Sequence, residues 1–503
     1  MFVRKKPNKS GKISVQVIEK IKGKYKVAKT IGSSFVESEV ERLVSLGEEW
    51  IKDYKGTLDI PFNDEERIAD SVLESVENII VSGTELLLNR IFNDIGFNAI
   101  KDDIFRWPVY SRICFPASKL KTCDYLLTYH GLEFQVQDLY RYMDKLYNNY
   151  KETVQLISFE HTKRILGGSI NIVFYDVTTL YFEVDQEDDL RKTGFSKEGK
   201  HQNPQIVLGL LVGQEGYPLA YEVFEGNKFE GHTMIPVIET FRRKYGLPAP
   251  IVVADSGLLS RGNVQELRDN GYGFILGARL KSSPDKKKEK VLALGLENGE
   301  SKSLDWEDGL RVVVSYSDRR AKKDRINREK GLKRLEKQLK SGKLNKTHIN
   351  NRGYNKYLKM EGEVKIALDM GKFEQDGKWD GLKGYITNTN LDKDGVIENY
   401  KNLWKIEKAF RITKNEIKVR PVFHYKQRRI EAHISIAFVA YKVYKELERQ
   451  LLEKESTLSP QKAIEIAKGI YTVEIQLKSS GKKLRKTLLL NQSQRKLAKM
   501  FGF

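Results

Sequence analysis

The sequence predicts an α/β protein in which a small β-hairpin and a helical module precede the α/β block. Three observations carry that prediction. The run Ile172-Val173-Phe174-Tyr175-Asp176-Val177-Thr178-Thr179-Leu180-Tyr181-Phe182 is β-branched and aromatic, with no Gly or Pro. The run Ile251-Val252-Val253-Ala254 is short, apolar on both faces and followed by Asp255-Ser256-Gly257, as in a central strand ending in a loop. Between and after them, apolar residues recur at helical spacing.

In chain order, Ile13, Val15, Val17, Tyr25 and Val27 alternate around Lys22-Gly23-Lys24, the pattern of a hairpin over 13–31. From Phe35 to Ile165 the periodicity is helical, with stretches around Val40–Leu46, Leu86–Ile95 and Leu126–Tyr150. Strands are predicted at Ile172–Phe182, Ile206–Val212, Tyr217–Phe224, Ile251–Ala254 and Tyr272–Ala278. Helices are predicted at Met234–Tyr245 and Asn263–Asn270. After Arg279 the composition shifts. Between Asp318 and Lys359 stand sixteen Lys or Arg against four acids, read as a strand at Leu310–Tyr316, a basic helix over Arg320–Leu339 and short strands up to Ile386. One helix from Val396 to Lys414 and an apolar helix from Ile430 to Leu447 follow, then a basic tail. The resulting divisions are 1–36 (hairpin), 37–165 (helical), 166–279 (core, first part), 280–384 (basic insertion), 385–450 (core, second part) and 451–503 (basic carboxyl-terminal region).

Composition removes several classes. The 503 residues carry 88 Lys and Arg against 68 Asp and Glu, a net charge of +20. Apolar content of 40 % supports sizeable cores, so general disorder is not expected. No apolar run approaches the ~18 residues of a membrane span, and no apolar signal core follows the basic start, so a cytoplasmic protein is expected. Cys114 and Cys123 alone cannot build a disulfide scaffold or a Cys-rich zinc site; both are expected to be buried or partly buried. No Gly-x4-Gly-Lys-Ser/Thr run is present, and no pair among His201, His232, His424 and His433 has zinc-ligand spacing with a Cys. The excess of positive charge points to a polyanion, most often nucleic acid.

Three carboxylates then stand out. Asp176 shares a strand face with Phe174, Thr178, Leu180 and Phe182, where an ionised group needs a partner or a metal. The plain alternative is an Asp at a strand edge bonded to Thr178. Asp255 follows the apolar run at the carboxyl end of a strand, where α/β sheets gather ligands; its plain alternative is a turn cap. On the third segment Tyr400, Leu403, Glu407, Arg411 and Lys414 fall on one helical stripe flanked by Trp404 and Phe410, a face expected to be buried. The alternative there is a solvated Glu407–Arg411 pair. Three carboxylates on separate elements suit a hard cation such as Mg²⁺ or Mn²⁺.

The spacing Y-x2-R-x3-E-x6-K is the signature of bacterial DDE transposases of the insertion sequence 4 class. Tyr400, Leu403, Glu407 and Lys414 match it, with Leu replacing the Arg. The chain resembles the branch named for insertion sequence 1634 through Phe174–Glu183, Glu225-Gly226-Asn227 with Glu230 and Thr233, and Val253–Gly257. Trp379-Asp380-Gly381 with Thr387-Asn388, and Arg411 through Arg420-Pro421-Val422-Phe423-His424, continue the resemblance, which spans roughly Ile170 to Tyr441. It implies a ribonuclease-H-like core interrupted by the 280–384 insertion, with Asp176, Asp255 and Glu407 as catalytic and metal-binding residues for two Mg²⁺ or Mn²⁺ ions per site. It further implies cleavage at element ends, strand transfer into target DNA, and a homodimer on DNA in a bacterial, nucleoid-associated setting. Tyr400 and Lys414 inherit phosphate contacts from the signature; Leu403 cannot make the Arg contact, and Arg411 is the residue placed to substitute. Arg420, Arg319, Arg320, Lys322 and Lys323 complete the expected DNA-binding set, the last four from the basic helix, whose plain reading is a solvated face. The helices of 37–165 are expected to read the element ends. Two rival readings are a transposase-derived DNA-binding protein without catalysis, suggested by Leu403, and a metal-dependent nuclease of the same fold without strand transfer.

Overall fold

The β-branched and apolar runs after Ile170 assemble into one eight-stranded sheet. A computed structural model describes residues 1–55, 64–196, 199, 202–351, 353–361, 365–477 and 481–503; His201 and Arg352 lie outside them. The strands are β1 (Ile172–Tyr181), β2 (Gln205–Gly213), β3 (Pro218–Glu225), β4 (Ile251–Ala254), β5 (Phe274–Ala278), β6 (Ser301–Asp305), β7 (Arg311–Tyr316) and β8 (Leu382–Thr387). Their order across the sheet is β6-β7-β8-β5-β4-β1-β2-β3. The β1, β2 and β3 strands form an antiparallel meander. On the other side β1 runs parallel to β4 and β4 parallel to β5. β8, β7 and β6 continue antiparallel from β5. Residues 280–384, expected as an insertion, thus supply β6, β7 and the first residues of β8 to the same sheet.

Both faces of the sheet are covered, which is why β2 is buried along its whole length and reads as an apolar run rather than an alternation. One face, with Phe174, Leu180, Leu208, Leu210 and Val253, packs into the core shared with α4 (Trp404–Asn415) and α5 (Gln427–Glu453). The other, with Val173, Tyr175, Val177, Val252 and Ala254, packs against α1 (Met234–Tyr245) through Ile235, Ile238 and Phe241. Two more helices matter for the site: α2 (Asp318–Lys340), the basic one, and α3 (Lys393–Lys401), just before α4. α5 is longer than the expected Ile430–Leu447 because it lies in the interior of a helical layer. It packs on Gly83–Ile95, Arg106–Cys114, Val136–Lys145 and Lys151–Ile165. Its fully buried Lys442 donates to the Ser158 carbonyl at 3.0 Å and to Thr162, so the amine enters the core hydrogen-bonded.

The strand and helical layers belong to one unit, Asn78–Val473 with Lys486–Phe503; Met1–Glu77 with Glu474–Arg485 forms a second. The second holds an antiparallel sheet of Phe2–Pro7, Ile13–Ile21 and Lys24–Ser34, the first of which the sequence pattern did not suggest. The helix Glu37–Lys55 covers its Val15 and Val17 side, and a Cβ at Gly47 would stand only 3.0 Å from Val3, so Gly permits the close approach. Cys114 and Cys123 are free and buried. Among the described residues no helix is long and apolar enough to cross a membrane.

Candidate active site

Asp176 sits within β1, on the sheet face that α4 covers, and its Oδ1 accepts the Val177 N–H at 2.8 Å. The parallel register pairs Tyr175 with Ala254, the last residue of β4, so Asp176 follows one member of that pair within β1 and Asp255 follows the other just beyond the end of β4. Strand spacing puts a directly paired couple such as Tyr175 and Ala254 about 5 Å apart at the backbone. Asp255 terminates β4 because its Oδ1 accepts the N–H groups of Gly257 (2.8 Å) and Leu258 (3.3 Å), turning the chain out of the sheet. The turn-capping role foreseen as the plain alternative is therefore present. It leaves Oδ2 outside the turn bonds, so capping and ligand binding are compatible.

The third acid differs from expectation. The expected single helix is two: α3 ends at Lys401, and α4 begins at Trp404 after a break at Asn402 and Leu403. Tyr400 and Glu407 therefore lie on different helices. The buried face of α4 is Ile406, Ala409, Phe410 and Thr413, an i, i+3, i+4, i+7 stripe, with Leu403 buried at its start. Glu407 and Arg411 project to the exposed side with Trp404, which is 51 % exposed and has Lys408 5.8 Å from its ring centre. The expectation of a buried acid–base stripe is corrected here. Trp404 marked the wrong face because an indole can lie on a surface under a lysine stem.

Tyr400 links the pieces. It is buried, its ring lies 4.8 Å from that of Tyr385, and Lys383 Nζ stands 4.4 Å over it. Its Oη fits only because residue 277 is glycine: a Cβ there would lie 2.5 Å from that oxygen and 2.9 Å from the Ser256 N. Burial pushes the phenol well above its ordinary range, and the charges of Asp255 and Glu407 push it further, so both carboxylates act on this one ring. Lys383 feels the same neighbourhood: burial and Arg320 pull its ammonium down, and Glu407 opposes them. A cleft of about 280 Å³ opens beside the ring, lined by Ser256, Arg279, Lys281, Arg320, Lys383 and Tyr400 among others. Arg279 ties the Asp255 loop in place, donating from Nε to the Ser256 carbonyl (2.8 Å) and from an Nη to the Gly257 carbonyl (3.2 Å).

Residues 167–442, more than half the chain, match the sequence model of the family described as Transposase DDE domain. The chain belongs to that transposase family. No curated protein sequence matches it. Among solved structures it is similar to a cryo-EM structure of a piggyBac transposase synaptic complex with hairpin DNA. That likeness is 9 % identity over 76 % of each chain with a TM-score of 0.38, too distant to decide anything about this protein.

Within the transposase domain Asp255 and Glu407 both act on the Tyr400 phenol, while Asp176 is linked to Asp255 through the Tyr175–Ala254 strand pair that precedes them. Among the described residues no three His, Cys, Asp or Glu side chains converge into a metal cage. The candidate DNA contacts are dispersed. Arg319, Arg320, Lys322 and Lys323 occupy the exposed first turns of α2. Arg320 lines the cleft and reaches Asp324 at 3.4 Å, whereas Lys322 lines a separate hollow with Arg325 and Arg328. Arg411 is exposed, and Lys414 and Arg420 are half-buried at and beyond the end of α4. His232 is exposed against Phe229, and the rings of His424 and His433 lie tilted to each other with centres 5.3 Å apart, away from the cleft lining. Thr387 and Asn388 act as a staple: Thr387 donates to the Phe274 carbonyl, and Asn388 bonds both the Phe274 N–H and the Tyr272 carbonyl, fixing β8 to β5.

Sequence reading missed Arg279 and Lys383. A signal existed for the first: it follows the strand beside the Asp255 strand, at the same edge of the sheet. Nothing local marks Lys383, whose strand joins the site through a contact with β5, more than a hundred residues earlier.

Proposed function

We propose that this transposase cleaves DNA at the ends of its own insertion-sequence element and joins them to target DNA, on a ribonuclease-H-like core. The observation that supports it is the parallel register of β1 and β4, in which Asp176 and Asp255 each follow one member of the Tyr175–Ala254 pair, with Arg279, Arg320 and Lys383 around the neighbouring cleft. An antiparallel three-strand meander leading into two parallel strands, with a carboxylate on the first and another after the fourth, supports the ribonuclease-H-like assignment. Membership of the insertion sequence 4 class, 1634 branch, follows the ordered motifs, and a homodimer on duplex DNA follows from the need to hold two ends.

The oxygen-only donor set fits a hard divalent cation, Mg²⁺ or Mn²⁺. Asp176 and Asp255 would hold it, and Glu407 would complete the set from the exposed side of α4. Once bound, such an ion polarises the phosphodiester and lowers the pKa of a ligated water. The chain's own residues do the rest. Arg279 holds the Asp255 loop still, Gly277 and Tyr385 fix Tyr400, and Arg320 and Lys383 place positive charge where a phosphate would enter. Buried in the core, Leu403 packs rather than binds, so the missing signature Arg is not by itself evidence of lost catalysis.

The test uses Asp176→Asn, Asp255→Asn and Glu407→Gln in the full chain. Each should abolish Mg²⁺-dependent nicking of an end-bearing fragment while duplex binding persists. Normal cleavage by any one of them removes that residue from the site. Cleavage without joined products in a target plasmid would favour a nuclease instead.

A further inference from the structure

The highest density of uncompensated charge is at the amino terminus, not on the basic helix. Between Arg4 and Lys29 stand ten Lys or Arg and a single acid, Glu19. The fold concentrates part of this charge on a projection. Phe2 pairs with Ile18, and among the described residues Glu19–Lys26 pair with one another, as Glu19 with Lys26, Lys20 with Tyr25 and Ile21 with Lys24. Lys22 and Gly23 make the two-residue turn with φ of 47° and 82°, the positive pair that matches strand twist. Residues 20–30 are all exposed. Tyr25, 63 % exposed, is braced by Phe2 at 5.9 Å and by Lys20 at 5.7 Å. On the same sheet face Arg4 donates to Gln16 at 3.2 Å.

A two-stranded ribbon carrying four lysines on eight residues, with no core to cover, has no structural use for that charge. Like charges this close repel, so the ribbon is less stable alone than against a polyanion. Two strands ~5 Å apart with their side chains match the ~12 Å major groove, and a braced tyrosine adds a contact surface without ordering cost. We infer that the ribbon Glu19–Lys26 docks on duplex DNA, Lys20, Lys22, Lys24 and Lys26 contacting phosphates along a groove. This rests on the DNA reading above and adds a contact site that the helices of 37–165 do not supply.

The experiment measures affinity of the full chain for a mixed-sequence 30-base-pair duplex across a salt series. The variant combines Lys20→Ala, Lys22→Asn, Lys24→Ala and Lys26→Ala; Asn tolerates the positive φ at 22. Each lost phosphate contact flattens the slope of log affinity against log salt by ~0.9, so the slope should fall by about two to four, with binding at least about tenfold weaker near 0.15 M salt. Replacing the same four lysines with Arg should restore both. Unchanged slope and affinity overturn the inference, as does an Arg variant as weak as the first. So does a variant that loses only binding to phosphatidylserine vesicles. If the quadruple variant does not fold, Lys24→Ala with Lys26→Ala is read identically, with a slope change near two. Failure of the unmodified chain to bind duplex at all would instead refute the DNA reading itself.

Discussion

Gly277→Ala probes how closely the site is built. The added Cβ would stand 2.5 Å from Tyr400 Oη and 2.9 Å from the Ser256 N, about 1 Å inside ordinary contact for the first. Either the ring or the Asp255–Gly257 turn must move, and both border the cleft. Overpacking of this kind costs about 1–3 kcal/mol of stability, and a displacement near 1 Å at a reacting centre costs up to about a hundredfold in rate. Two measurements on the full chain follow: urea unfolding, and Mg²⁺-dependent nicking. The decisive element is a second change, Tyr400→Phe, which removes the oxygen the new methyl strikes. Alone it should cost little stability; combined with Gly277→Ala it should recover about 1 kcal/mol or more of the lost stability, a coupling expected only of groups in contact. The backbone contact at Ser256 remains, so recovery should be partial. Independent, additive effects of the two changes would refute the packing described for this ring.

Two further outcomes are expected. Lys383→Ala, which removes the cation over the Tyr400 ring, should lower nicking at least about tenfold while weakening duplex binding by no more than one phosphate contact would; equal losses in both would make Lys383 a binding residue only. Stability should also fall on acidification. Burial, helped by Lys442, holds His161 down to about 3, and burial with Lys119 and Arg112 holds His424 down to about 3, so both are neutral when folded and take up protons on unfolding below pH 6.5. Their contribution is complete above 6.5 and is lost as pH falls through the window down to about 3, at a limiting slope of about 1.4 kcal/mol per pH unit for each. A melting temperature at pH 5 equal to or above that at pH 7 would contradict it.

Much of the fold was legible because strands and helices are local in origin. The β1 run and the Ile251–Ala254 run announce themselves by composition, and their boundaries in the structure differ by a residue or less. Asp176 and Asp255 stand out in the sequence as charged residues interrupting or ending apolar runs, and they lie within and just after the two strands those runs form. Glu407 was legible as a residue of a signature but not as a side chain: its face was misassigned, because Trp404 looked like a core residue and the break at 402–403 leaves no Pro or Gly behind it.

What the sequence by itself determined, then, is the strand character of the β1 and Ile251–Ala254 runs and the motif order of a transposase family. What only the tertiary structure decided is who stands beside whom. Asp176 and Asp255, 79 positions apart, each follow one member of a single parallel pair, Tyr175 with Ala254. Lys383 and Arg279 meet at one cleft because β8 docks beside β5. The lysines of the amino-terminal ribbon gather at one turn because Glu19–Ile21 and Lys24–Lys26 pair with each other. Side-chain patterns fix a segment's own conformation, whereas pairing partners and register are set by backbone hydrogen bonds and burial between distant segments, and those leave no mark in any one stretch of sequence.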